Sequence, residues 1–308
     1  MNILILKNDN DDFEKFVKEH MQRINIKTCG LYKYNKGIRW KVEVLYLQRL
    51  NLPFQNIWYG DWKKHIKEFD IAIVFDRNLN WNIVKYIKLK NPKVRVIAWY
   101  WNIVETPFPK KFQNYCEVWS FDKKDCEKYE YNWNHQFYFK DIILSCKKIK
   151  YDAVFIGIDK GRYNKVTEIE KKMNDKGLTF FKYVVHDKKS SNNGTYYSFL
   201  EYKNILDIIN ESKCVIDIPQ DGQSGITLRV LEALFLKKKL YTTNTHIKNY
   251  NLYNKKNIFI EDIDDDSELY DFINSPFCNN EKIVENYTFE NWIETFVEGK
   301  LNNNRSIN

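Results

Sequence analysis

The residues best suited to chemistry stand close together in the second half of the chain, in the segment QSGITLRVLEAL at 223–234. An apolar run at 214–218 predicts a strand before it, and the pattern predicts a helix that opens at Ser224 and Gly225. A helix N-terminus presents unpaired N–H groups and a positive dipole end, which suits a phosphate. Small and hydroxyl-bearing residues, including Thr227, let a ligand approach the backbone. The pattern is equally typical of an ordinary strand-to-helix turn with a capped helix.

A second loop suited to phosphate has the sequence GIDKGR and lies at 157–162, after an apolar run at 153–156. Its glycines give close access to the backbone, and Lys160 and Arg162 add positive charge. In a parallel α/β sheet both loops lie at the carboxyl ends of strands, where ligands bind. Neither loop matches the GxGxxG or GxxxxGKS patterns, which disfavours an NAD site and a P-loop.

Apolar runs alternate with segments of helical periodicity along the chain, which predicts the elements that position these loops. One series of strands and helices occupies the first half, and a second begins near 151. The expected fold class is therefore α/β, with two Rossmann-like domains facing a cleft. The predicted domains are 1–145 and 151–280, joined by a linker at 142–151 and followed by a helical region at 281–300.

Composition limits the class of protein. The chain has 308 residues, of which 44% are hydrophobic, enough to form a core in each of two domains. No run of 18 apolar residues occurs, and the start MNILIL predicts a buried strand rather than a secretory signal. The six cysteines and five histidines are dispersed, with neither CxxC nor HExxH. We therefore expect a reduced, cytoplasmic protein that holds no metal.

Charge is distributed unevenly along the chain. Residues 1–150 contain 28 Lys and Arg against 17 Asp and Glu, a net charge of +11, whereas the remainder carries −3 of the total of +8. The basic half is also rich in Trp and Tyr. Such a surface fits an anionic membrane face, a phosphate-bearing ligand or a nucleic acid, and it is also compatible with a solvated basic face that has no partner.

The segments SGITLRVLEALFLKKKLYTTN, FIGIDKGR and SFDKKDCEKY resemble bacterial GT-B glycosyltransferases that build capsule, O-antigen or other surface polysaccharides. The resemblance covers roughly residues 115–245 well and the first hundred residues poorly. It implies that the first domain binds the acceptor and the second binds a nucleotide sugar. It also implies that the final helix packs back on the first domain.

The resemblance and the two loops together give the expected donor-binding site. By position, Glu232 corresponds to a glutamate that binds the nucleotide ribose, and Lys160 and Arg162 to basic residues near the diphosphate. The expected donor-binding residues are Gly157, Lys160, Arg162, Gln223, Ser224, Gly225, Ile226, Thr227, Arg229 and Glu232.

The implied reaction is transfer of a glycosyl group, of hexosyl type, from a nucleotide-diphosphate sugar to a hydroxyl group of a saccharide that is lipid-linked at the inner membrane face. An inverting reaction needs a general base in the first domain. Asp76, after the apolar run 71–75, is the first candidate, followed by Glu105 and Asp9. Alternatively, Asp76 only caps the next turn. No cofactor, metal or nucleic acid is expected, since a helix dipole and basic side chains can stabilise the leaving diphosphate.

One departure from the family leaves alternatives open. Many retaining members carry the motif E-x7-E, and the first Glu would fall at position 224, where this chain has Ser224. The stereochemical outcome therefore stays open. The alternatives are a polyol-phosphate transferase or sugar epimerase of similar fold, a catalytically silent nucleotide-sugar-binding partner of another transferase, and a basic protein that binds polyanions such as nucleic acid.

Overall fold

The structure is a computed structural model that describes residues 1–9, 11–33, 37–50, 52–76, 81–191 and 194–297. The described residues form two compact units, 1–135 and 136–297. Each unit contains one sheet in which every pair of neighbouring strands is parallel. The predicted α/β class with two parallel-sheet domains is therefore confirmed. The predicted domain limits and the cleft stay proposals.

The first unit contains a six-stranded sheet in the order β2-β1-β3-β4-β5-β6. Its strands are β1 (Ile3–Leu6), β2 (Ile26–Cys29), β3 (Ile71–Phe75), β4 (Arg95–Tyr100), β5 (Glu117–Ser120) and β6 (Asn132–Trp133). Its helices are α1 (Asp12–His20), α2 (Gly37–Val44), α3 (Asn82–Lys90) and α4 (Lys123–Tyr129). A π-helical turn, Leu45–Arg49, extends α2, and short 3₁₀ turns occupy Gln55–Ile57, Asp61–Lys64, Ile66–Glu68 and Lys110–Tyr115.

The second unit contains a five-stranded sheet in the order β11-β10-β9-β7-β8. Its strands are β7 (Tyr151–Ile158), β8 (Phe180–Val185), β9 (Ser212–Asp217), β10 (Lys239–Thr242) and β11 (Ile258–Ile260). Its helices are α5 (Tyr163–Asp175), α6 (Tyr202–Asn210), α7 (Leu228–Phe235), α8 (Leu269–Asn274), α9 (Glu281–Asn286) and α10 (Phe289–Val297), with 3₁₀ turns at Thr245–Asn249 and Asp266–Glu268.

Burial explains why the apolar runs form central strands. Every residue of β1 (ILIL) and β3 (IAIVF) is buried, as expected of parallel strands covered on both faces. Capping side chains fix the helices that follow, because Asp11 accepts from the backbone N–H of Glu14 at the start of α1. Asp122 caps α4 in the same way, accepting from the N–H groups of Lys124 and Asp125.

Strand order places one topological switch point in each sheet. In the first unit the chain leaves β1 for β2 on one side and then returns to β3 on the other side of β1. In the second unit it leaves β7 for β8 and then returns to β9 on the other side of β7. The carboxyl ends of strands that flank a switch point border a crevice in which open α/β sheets bind ligands.

The C-terminal region predicted as helical contains two helices, α9 and α10, with an interruption between them. The interruption has a clear cause, because the Tyr138 backbone N–H donates to Tyr287 O at 2.8 Å and Phe289 N donates to Tyr138 O at 2.9 Å. Phe137 packs against Trp292 with ring centroids 4.4 Å apart, which anchors α10 within the second unit. The predicted packing of this helix on the first domain stays a prediction.

Across the described ranges, no helix has both the length and the apolar character needed to cross a membrane.

Candidate functional site

The two loops suited to phosphate follow β7 and β9, which are hydrogen-bonded neighbours at the switch point of the second sheet. They therefore lie at the same edge. Contacts between them confirm this, because Arg162 Nη1 in the first loop donates to the carbonyl oxygen of Ile218, just after β9, at 2.6 Å. The structure thus brings the two sequence segments together, as parallel pairing requires.

The loop after β7 is a tight turn held by Asp159. Lys160 and Gly161 have φ angles of 51° and 82°, in the left-handed region, and the glycine makes the second of these easy to adopt. The Asp159 carboxylate accepts from the backbone N–H of Tyr163 at 2.8 Å and from the Tyr196 hydroxyl at 2.9 Å. Burial alone would raise the pKa of Asp159, but these hydrogen bonds outweigh it and lower the pKa.

Arg162 is a buried arginine bound by carbonyl groups, with 9% of its surface exposed. Besides Ile218, its guanidinium donates to the carbonyl oxygens of Asp159, at 3.0 Å, and Ile158. Burial, reinforced by the charge of Arg229, lowers the pKa of Arg162 well below its ordinary value. The charges of Asp217, Asp159 and Asp187 oppose this lowering of the pKa without cancelling it.

Arg229, in the first turn of α7, lies beside Arg162. Its Nε and Nη2 donate to the carbonyl oxygen of Ile156 at 3.2 and 3.0 Å. The guanidinium carbons of Arg229 and Arg162 lie 5.2 and 5.5 Å from the ring centroid of Phe155. Both guanidiniums also lie next to Gly157, since a Cβ atom there would lie 2.1 Å from Arg229 Nη2 and 3.7 Å from Arg162 Nη2.

Neither guanidinium has a carboxylate within ion-pair distance among the residues that the structure describes. Nη1 of Arg229 donates no hydrogen bond to any of the described residues. Two adjacent cations at a switch point, supported by carbonyl groups rather than by carboxylates, are suited to an anion with several oxygens.

The loop after β9 differs from its prediction, because α7 begins at Leu228 and not at Ser224 and Gly225. Thr227 is extended, with φ −85° and ψ 168°. Its hydroxyl donates to the Asp217 carboxylate at 2.6 Å, which ties the residue to the end of β9. Side chains bond two carbonyl groups of the loop. Asn244 Nδ2 donates to Ser224 O at 3.4 Å, and Gln223 Nε2 donates to Gly225 O at 3.2 Å.

Ser224, Gly225 and Ile226 are all buried. This short buried stretch holds the loop against the end of the sheet. The donor-binding roles proposed for it stay predictions, as does the role of Lys160, whose side chain is half-buried.

Glu232 lies inside the unit, with only 4% of its surface exposed. Its Oε1 accepts a hydrogen bond of 2.6 Å from the hydroxyl of Tyr202, and this hydroxyl lies 2.8 Å from that of Tyr138. Burial raises the pKa of Glu232, although the Tyr202 hydrogen bond opposes the shift. In this arrangement Glu232 Oε1 accepts from a tyrosine hydroxyl, whereas the resemblance predicts a bond to a ribose hydroxyl. The contact between Glu232 and a ribose stays a prediction.

Sequence reasoning missed the buried polar groups that organise this edge. The carboxylate of Asp217 is fully buried, and besides Thr227 it accepts from Thr242 Oγ1 at 2.8 Å. A polar residue at the carboxyl end of the apolar run CVIDI was the available signal for Asp217. Tyr202 and Tyr138 had no such signal, because their partners are distant in sequence.

In the first unit the candidate bases lie at the switch point or next to it. Asp76 follows β3, and its Oδ2 accepts from the backbone N–H of Asn102, after β4, at 3.3 Å. Asp9 follows β1 and forms an ion pair with Lys18 at 2.6 Å. Glu105 is exposed in the loop after β4. Residues 77–80 lie outside the described part. The catalytic roles of Asp76 and Glu105 stay predictions.

Within the described ranges, no group of three or more His, Cys, Asp and Glu side chains is arranged to hold a metal ion.

The fold and these edges define an α/β protein with two parallel sheets, each with a switch point. No protein-family model and no curated protein matches the chain. Among solved structures, it is similar to Anabaena HepE in complex with UDP, at 8% identity and a TM-score of 0.49, over 97% of this chain and 99% of that one.

It is also similar to a D-isomer specific 2-hydroxyacid dehydrogenase family protein from Aeromonas salmonicida. The identity is 9% and the TM-score 0.22, over 97% of this chain and 96% of that one. Neither similarity supports an inference about activity. The fold class follows from the strand order, and a function must be argued from the residues of the chain.

Proposed function

We propose that the protein is a glycosyltransferase that moves a sugar from a nucleotide-diphosphate donor to a hydroxyl group of a saccharide acceptor. The observation that supports this most directly is the pair of guanidiniums, Arg162 and Arg229, next to Gly157 at the switch point of the second sheet. The resemblance of the surrounding segments to donor domains supports the diphosphate of a nucleotide sugar as the anion.

The electrostatics of the pair favour a bound anion. Arg162 is desolvated and lies beside a like charge, and both conditions lower its pKa. A diphosphate next to the two groups would offset their repulsion and replace the water lost by burial. Arg229 Nη1 is the donor best placed for it, because the other nitrogens of the group are bonded to Ile156 O.

The proposed reaction uses these charges on the leaving group. The bond between the anomeric carbon and the diphosphate oxygen breaks, and the acceptor oxygen forms the new bond to that carbon. The acceptor proton passes to a base, for which we propose Asp76 or Glu105. The negative charge that develops on the diphosphate is then stabilised by fixed cations, with no metal required. Excluding water from the site would limit hydrolysis of the donor.

The finer parts of the proposal rest on the sequence and its resemblance to the family. They are a hexosyl donor, a lipid-linked acceptor, a role in surface polysaccharide synthesis, and a cytoplasmic location at the inner face of the membrane. The expected donor-binding set, including Gln223, Ile226 and Glu232, belongs to the same proposal.

Donor binding is tested by thermal denaturation with UDP, GDP, dTDP, CMP and ADP. At about 100 times Kd, a ligand should stabilise the folded protein by about 2.7 kcal/mol. One nucleotide should raise the midpoint for the wild type, and Arg229→Gln should weaken its binding about tenfold or more, because a charge-assisted hydrogen bond is lost. The matched control is Lys171→Gln, which removes one positive charge from the exposed face of α5 and should leave binding unchanged.

Turnover separates the rival activities. A glycosyltransferase releases a nucleoside diphosphate only when an acceptor is present, whereas a polyol-phosphate transferase releases a nucleoside monophosphate. A catalytically silent partner binds the nucleotide and releases neither product. If no nucleotide stabilises the wild type, the donor site is not where we place it.

A further inference from the structure

The helix α2 of the first unit presents an apolar face to solvent. Ile38, Val42 and Leu45 are 80%, 46% and 43% exposed, and their spacing of four and then three residues places them on one side of the helix and its π-helical extension. Glu43, the acidic residue of α2, is buried. An exposed apolar stripe on a short helix at the surface of a folded unit calls for a partner.

A neighbouring turn exposes further apolar side chains. Phe54 is 77% exposed, and its φ of 58° lies in the left-handed region, which costs free energy for a residue with a side chain. Leu52 and Ile57 on the same turn are exposed as well. The turn therefore combines an exposed aromatic ring with a strained backbone conformation at the same residue.

Tyr46 joins the helix to this turn. Its carbonyl oxygen accepts from the backbone N–H of Leu52 at 3.1 Å, and its hydroxyl donates to the carbonyl oxygen of Pro53. Its ring lies 5.6 Å from that of Trp58. The apolar face of α2 and the turn at 52–57 thus belong to one surface, called here the 38–57 surface.

Basic side chains border the 38–57 surface. Lys33 N donates to Trp58 O at 2.9 Å, and Lys63 Nζ donates to Asn56 O at 2.5 Å, so both lysines flank the turn. Partial burial and then the charge of Lys33 lower the pKa of Lys63. Arg39 and Lys41 are exposed on α2 itself.

We infer that the 38–57 surface docks on an anionic lipid bilayer, with Phe54 and Ile38 in the apolar boundary of the bilayer and the lysines at the headgroups. Exposed apolar side chains bordered by Lys and Arg are the combination that binds the interface of an anionic membrane. A protein partner with a mainly acidic surface would pair with the lysines, but it would leave the exposed Phe and Ile side chains without apolar contacts. The charge of +11 on residues 1–150 has the sign that this occupant requires.

Sedimentation with vesicles tests the inference on the full chain. The wild type should bind vesicles of phosphatidylglycerol and phosphatidylcholine more tightly than vesicles of phosphatidylcholine alone, and added salt should weaken the binding. Phe54→Ser should weaken it about tenfold, because an apolar side chain no longer enters the bilayer. Lys33→Glu should weaken it and reduce its dependence on salt.

The matched control is Ile24→Ser, which changes a fully exposed isoleucine of the same unit outside the 38–57 surface and should leave vesicle binding unchanged. The inference is overturned if the wild type binds neither kind of vesicle or if the two serine variants bind equally. It is also overturned if light scattering shows a dimer that Phe54→Ser abolishes, since the surface would then hold a second copy of the chain. Nucleotide stabilisation of Phe54→Ser should equal that of the wild type, which keeps this test separate from the donor site.

Discussion

A Cβ atom on Gly157 would lie 2.1 Å from Nη2 of Arg229, so the guanidinium occupies the space that any side chain at position 157 would need. The glycine is the last but one residue of β7 and the arginine is the second residue of α7, and 71 residues lie between them in the chain. Real Cβ atoms do not approach a neighbour this closely, so a substitution at 157 must displace Arg229. The position of one cation of the proposed donor site therefore depends on a missing side chain.

Gly157→Ala should weaken nucleotide binding about tenfold, because Arg229 loses its hydrogen bonds to Ile156 O and leaves the site. Titration calorimetry with the stabilising nucleotide measures the change. The double variant Gly157→Ala/Arg229→Ala should bind no more weakly than Arg229→Ala alone, since the clash then has no target. If the loss of affinity in the double variant equals the sum of the losses in the two single variants, Gly157 acts in another way.

Tyr202→Phe should destabilise the protein by about 1–3 kcal/mol, because the buried carboxylate of Glu232 loses its hydrogen-bond donor. Denaturant unfolding measures the loss. Tyr183→Phe is the matched control, because it removes a hydroxyl that donates to the carbonyl oxygen of Ser198 at 2.8 Å in an exposed place. Its cost should be clearly smaller. Equal losses in the two variants would contradict the buried role of the Tyr202 hydroxyl.

The pH dependence of stability should carry the signature of Glu232. Its pKa is raised from the ordinary value of 4.5 by burial, so the folded state binds this proton more tightly than the unfolded state does. The contribution to stability is fully present below pH 4.5 and is lost as the pH rises through the folded pKa.

Glu232→Gln removes this titration, so its stability relative to the wild type should increase with pH across the same window. Unfolding curves collected from acid to neutral pH measure the difference. A difference that stays constant with pH would show that the folded and unfolded pKa values are equal.

Asp76→Asn should lower turnover by about 10²- to 10⁴-fold, the range expected for loss of a general base, while nucleotide binding stays unchanged. Acceptor-dependent release of nucleoside diphosphate measures turnover, and calorimetry measures binding. Glu105→Gln and Asp9→Asn, assayed in parallel, identify the base if Asp76 is only structural. If all three variants keep wild-type turnover, the base lies elsewhere.

Several elements of the fold could be predicted from local sequence because the physics that forms them is local. The runs at 71–75 and 153–156 lie in buried strands, since consecutive apolar residues fit a strand covered on both faces. The N-cap at Asp122 is equally local, because its carboxylate accepts from the backbone N–H groups two and three residues later. The start of α7 was predicted wrongly at Ser224 and Gly225, because Asp217 at the end of β9 and Asn244 after β10 bind the loop.

The sequence by itself determined the α/β class and the two loops that carry Arg162 and Arg229, because periodicity and turn residues act over a few positions. The tertiary structure alone decided that these arginines meet over Gly157 and that Glu232 is bonded to Tyr202. Those contacts depend on which strands pair and on which side chains share a buried volume. Strand pairing and side-chain packing are set by contacts between segments far apart in the chain, so a local sequence pattern does not predict them.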